Sequence, residues 1–184
     1  LTFLVSGKLW RNSLIMQDKE TGTLWSHVSG EALSGPLTGT TLEQVPMVQT
    51  TWREWVAAHP RTLVLRKEQA VSGSRYADYF ADSSRNGIFP LAAPLKRLPG
   101  KTLIQGVALG QTAVAVVDTT LVTGREVQVK LGDTKVTMSR DADGGVRAWR
   151  KTAAGREELV VRRAYWFAWV SFYPRSEVIG SGKE

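Results

Sequence analysis

Histidine supplies the only side chains here whose ordinary pKa lies near neutrality, and there are two, His27 and His59. Cysteine is absent, which removes thiolate nucleophiles, disulfides and thiolate metal ligation from this chain. Two isolated histidines lack the convergent, regularly spaced partners that a metal site needs, so the residues specify no metal. Nor do they name a cofactor. His27 follows Trp25 on an expected strand and can line a pocket with Asp18 across a hairpin. Asp18, Trp25 and His27 are therefore the candidate binding residues, against the plainer reading of His27 as a surface histidine. His59 precedes Pro60 and belongs with the packing face of a short helix.

Other short motifs lose their chemistry when spacing is checked. "SGKL" lacks the glycine spacing that precedes a phosphate-cradling lysine. "DADGG" opens like a calcium loop, but Thr152 stands where the bidentate glutamate belongs, so a hairpin turn is the better reading. Ser6 and Ser29 lie beside glycines without forming a nucleophile elbow. No pair of carboxylates is singled out for acid–base work.

The elements that would position these residues are mostly short strands. "LTFLVSG" alternates Leu1, Phe3 and Val5, "NSLIMQD" has an apolar centre, "DKETGT" is a turn, and "TLWSHVSG" returns. "SGEALSGPLTG" is a tight passage, and Pro46 demotes "TLEQVPMVQT" to an edge or bulged strand. Further on, "LIQGVALGQTAVAVV" is a hairpin about Leu109-Gly110-Gln111. A meander follows, with turns at Gly132-Asp133 and "DADGG".

One phrase occurs twice. Thr51 and Glu54 form a capping box ahead of Trp52, Trp55, Val56 and His59, which share one face of a two-turn helix ended by Pro60. "TLVL" then continues as a strand. Trp166, Trp169, Val170, Tyr173 and Pro174 repeat the pattern at one constant offset, giving W-x2-W-V-x2-[HY]-P-R-[ST]-x-V in both places. Trp52, Trp55, Pro60, Trp166, Trp169 and Pro174 are the expected structural residues of a duplicated plan. Met16 with Met138 and Gly22 with Gly144 share a second offset, so the first half carries an insertion before its helix. Phe167, Ala168 and Phe172 make the later helix apolar nearly all round, as suits a core element or a partner-covered one.

The expected architecture is α+β and mainly β: short antiparallel strands and hairpins with two Trp-faced helices, pseudo-duplicated. Residues 1–66 form the first half, whose opening strands are missing, 67–101 a linker-like stretch rich in Gly, Pro, Ser and charge, and 102–184 the second half. All belong to one unit. At 184 residues and 42% hydrophobic, a sizeable core is within reach. The formal net charge of +7 comes from scattered Lys and Arg without an aromatic-interleaved stripe, which disfavours nucleic acid as partner. No apolar run is long enough to span a bilayer.

The segments "LTFLVSGKLWRNSLIMQDKETGTLWSHVSGEALSGPLTG", "TTWREWVAAHPRTLVL" and "YWFAWVSFYP" together resemble a bacterial family of domains of unknown function. The resemblance covers most of the chain and implies an extracytoplasmic setting, periplasmic or secreted, some members being membrane-anchored. It also implies an upstream Cys-Pro-x-Cys segment, with selenocysteine in some members, and hence thiol or selenol redox chemistry or metal handling for the family. None of that transfers to a position here. Where the family often has Gln after "LWS", this chain has His27. Two functions stand as expectations: a non-catalytic binding or scaffold module, or the main body of a redox or metal-handling enzyme whose cysteines lie upstream. In either case the opening strand is expected to pair with an upstream segment or through self-association.

Overall fold

Alternating side chains and a tight turn make the first hairpin. Phe3–Trp10 (β1) pairs antiparallel with Ser13–Asp18 (β2), broken by an irregularity between Val5 and Leu9. Arg11 and Asn12 make the turn with φ of 51° and 60°, the doubly left-handed geometry that matches strand twist. Leu24–Ser26 (β3) and Ala32–Ser34 (β4) complete a four-stranded meander. This computed structural model describes residues 1–65, 76–89, 91 and 95–180.

Trp52–Ala58 (α1) follows a long irregular passage. Its capping box is formed: Thr51 Oγ1 accepts from the Glu54 N–H, and the Glu54 carboxylate accepts from the Thr51 N–H. Ala77–Ala81 (α2) is a single exposed helical turn and lies within the linker-like stretch. Much of "VSGSRY" lies outside the described residues. Leu98, in the tail of that stretch, is buried in the core of the second half.

The second half holds the larger core. Leu103–Leu109 (β5) and Thr112–Val117 (β6) form a hairpin about Gly110-Gln111, followed by a 3-10 turn at Asp118–Thr120. Glu126–Leu131 (β7), Thr134–Arg140 (β8), Val146–Thr152 (β9) and Gly155–Leu159 (β10) make a second meander, its turns at Gly132-Asp133 and within "DADGG". Arg162–Tyr165 (β11) pairs antiparallel with β5. Trp166–Phe172 (α3) then crosses over, and Glu177–Ile179 (β12) pairs parallel with β6. The third sheet therefore runs β11-β5-β6-β12.

The two faces of the β5–β6 hairpin are both covered, which is why its strands read as almost unbroken apolar runs. Val107, Val114 and Val116 pack against Val129, Val136 and Met138 of the meander. Ile104, Ala113, Ala115 and Val117 pack against Trp166, Trp169 and Val170 of α3. The fold is mainly β, in three small sheets with short helices.

Three expectations need correction. "TLVL" is not a strand: residues 62–65 join no ladder among the described residues, and Leu63 is 94% exposed. "TLEQVPMVQT" is irregular apart from one bridge between Glu31 and Thr41, because no strand lies beside it to supply the ladder. The third concerns α1, whose expected packing face is not buried, whereas α3 is the core element that its apolar circumference suited. Trp166, Phe167, Trp169 and Val170 are buried, whereas α1 buries no residue and Trp52 is 57% exposed.

Candidate functional site

Backbone geometry at both ends of the two Trp-faced helices matches, although only the first is side-chain capped. The residue before each helix is extended, Thr51 at φ −80°, ψ 153° and Tyr165 at φ −75°, ψ 146°. Each helix ends alike, with His59 at φ −129°, ψ 69° and Tyr173 at φ −125°, ψ 66°. The Trp55 indole N–H donates to Thr62 Oγ1 at 2.9 Å, and the Trp169 indole N–H donates to Ser176 Oγ at 3.0 Å. Trp55 lies against His59 with ring centroids 4.1 Å apart, and Trp169 against Tyr173 at 4.4 Å. The [ST] position of the motif is thus an indole acceptor. His59 is a stacking partner, and Pro60 and Pro174 follow where each helix stops.

What differs is the company these helices keep. Around α3, β11 enters and β12 leaves, and both hydrogen-bond to the β5–β6 hairpin. Gly106 of β5 lies directly beneath the Trp169 ring, so close that a Cβ there would come within 2.4 Å of it. Around α1, the residues at the same offset are 48–51 and 63–65. They carry no strand pairing, and Leu63, Val64 and Leu65 face solvent. The meanders match too: Val5 opposes Met16 as Val127 opposes Met138. Val127 packs on the core, but Val5 is 75% exposed.

Asp18 and Trp25 are brought together, but as a buried structural pair. The Trp25 indole N–H donates to Asp18 Oδ2 at 2.7 Å, and the Thr21 N–H donates to Oδ1 at 2.6 Å. Burial by itself would raise the Asp18 carboxyl. The hydrogen bonds from Trp25, Thr21 and Gly22 outweigh it and hold the group below its ordinary value. His27 stands apart, exposed at the end of the third strand, its N–H donating to Leu14 O at 3.3 Å.

His27 instead lines a cleft of about 660 Å³ between the two halves. Its walls are largely apolar, from Met16, Val28, Val48, Val161 and Ala168. Among its polar side chains, Arg162 is the one with an unmet buried donor. Its Nε donates to Val28 O at 2.9 Å, its Nη2 to Gln44 Oε1, and its Nη1 is buried with no acceptor. No carboxylate lies within 4.0 Å of it among the described residues. Burial, uncompensated by an opposite charge, pulls the guanidinium pKa down from its ordinary value, although arginine keeps its proton. Gly30, at φ +75°, lets the 42–44 segment lie close, since a Cβ there would meet the Gln44 amide nitrogen at 3.0 Å. Sequence reasoning passed over Arg162. Its signal was the "VVRRAY" run, where strand alternation turns one of two adjacent arginines inward.

Three small sheets of short strands, with a cleft between the first sheet's side and the second half, define a mainly β domain. The chain belongs to the family described as a protein of unknown function (DUF3179), whose model matches residues 1–162. No curated protein and no solved structure matches it. No helix among the described residues is long and apolar enough to cross a membrane.

Proposed function

We propose that this chain is a non-catalytic binding and scaffold module whose first Trp-faced helix receives a β-hairpin. One observation carries the reading: two helices of the same backbone geometry differ in that one clasps a hairpin and the other has none beside it among the described residues. The occupant is a hairpin whose helix-facing side carries small residues and a glycine opposite Trp55. One of its edges would pair antiparallel with 48–51 and the other parallel with 63–65.

In the second half the hairpin precedes the meander, and the meander precedes the helix. The same order places the first unit's hairpin ahead of β1 in the polypeptide, the position expected for an upstream partner segment. Descent of both units from one duplicated ancestor accounts for the shared offsets. The redox or metal-handling alternative depends on cysteines upstream and draws its support from the resemblance alone.

A graft tests the reading. A copy of Lys101–Val122 fused directly ahead of Leu1 reproduces the spacing found before β7. Acrylamide quenching, with Trp52→Phe as the difference control, reads the exposure of Trp52. Shielding of Trp52 in the graft, lost when the copied glycine becomes leucine, is the expected result. Trp52 remaining as quenchable as in the parent chain overturns it. A parent that scatters light as a dimer with Trp52 already shielded makes a second copy the occupant instead.

A further inference from the structure

The cleft between the two halves has the size and character of a small-molecule site: mostly apolar walls and, among a few polar side chains, the half-buried guanidinium of Arg162. That group is chemically incomplete. A guanidinium presents a planar fork that suits the two oxygens of a carboxylate, and Arg162 instead meets two neutral, single acceptors, Val28 O and Gln44 Oε1. Nη1 is left with no acceptor at all, which costs free energy in a buried position. Arg163 adds a second cation to the cleft wall, 4.0 Å from Asp118, which already pairs with Arg140 at 2.9 Å. Glu43, the acidic residue on the lining, is exposed and makes no ion pair with Arg162.

We infer that the cleft binds a small amphipathic carboxylate, its head on Arg162 and its aliphatic or aromatic body against Met16, Val28, Val48 and Val161. Gln44 holds the place of the ligand's head group. It sits on the irregular 42–49 passage, which no strand ladder pins, so its amide can withdraw when a carboxylate arrives. The incoming pair of oxygens then takes over Nη2 and satisfies Nη1. His27 stands on the cleft lining as a further donor. The site shares Val48 with the segment that the hairpin reading pairs, but it uses neither 63–65 nor the exposed face of α1, and octanoate binding is read separately from the shielding of Trp52.

Octanoate and 1-octanol share a hydrocarbon body and differ in the head group, which makes them the probes. Calorimetric titration of the full chain is expected to show saturable octanoate binding, about ten- to hundredfold tighter than octanol, the range of a charge-assisted hydrogen-bonded pair. Arg162→Met removes the preference while keeping an apolar stem of similar length. Gln44→Ala tightens octanoate, because it deletes the competing acceptor. Equal affinity for the two probes in the unaltered chain overturns the assignment, as does failure of both to bind. Weaker octanoate binding in Gln44→Ala overturns the displacement step and the placement of the head group with it. These wild-type and Gln44→Ala results decide the matter even if Arg162→Met does not fold.

Discussion

Asp18 shows how a polar residue serves a small core. Both carboxylate oxygens accept hydrogen bonds, from the Trp25 indole, the Thr21 amide and the Thr21 hydroxyl, so the charged form is the one the fold prefers. A carboxyl held below its ordinary value stabilises the fold fully above about pH 3.9, and that contribution fades as pH falls through the depressed value. We expect urea melts taken between about pH 2 and 5 to show an acid-side loss of stability that Asp18→Asn flattens. Asn also turns an amide donor towards donors, so the variant is less stable than the parent at neutral pH. An unchanged acid limb would mean that Asp18 does not control it. At Gly106 the constraint is steric. A methyl there meets Trp169, and Gly106→Ala is expected to destabilise by about 1–3 kcal/mol, with partial rescue by Trp169→Leu in a double-mutant cycle.

At the scale of elements, the paired helices provide an internal comparison. Trp169 is fully buried, and its truncation to Ala leaves a cavity costing about 3–5 kcal/mol. Trp55 makes the same indole bond and the same ring contact but lies half-buried, so Trp55→Ala should cost less than half as much. It should still exceed Arg53→Ala, whose side chain is exposed. Equal losses at Trp55 and Trp169 in denaturant melts would show that the first unit is already covered. The helix, the proline stop and the hairpin turns were legible beforehand because neighbours in sequence determine them. The strand expected in "TLVL" was not, since a strand needs a partner whose position no local pattern reports.

For the whole molecule, stability is concentrated where the hairpin is covered on both faces. Val107, Val114 and Val116 have no exposed surface, whereas Leu4 and Val5 of the first sheet are 46% and 75% exposed. Hydrogen exchange should therefore be slowest in β5 and β6, faster in β1, and fastest at Leu63–Leu65. Protection of β1 equal to that of β6 would show a partner on the first sheet's open edge. The sequence by itself determined the mainly β class, the turn positions and the twice-used helix motif, because periodicity, capping and glycine geometry act over a few residues. It also held the family resemblance. Only the tertiary structure decided that one copy is core and the other surface, that Asp18 and His27 part company, and that Arg162 lines a cleft with no carboxylate beside it among the described residues. Those outcomes depend on which distant strand lies against a given face, and on whether an opposite charge lies nearby in space.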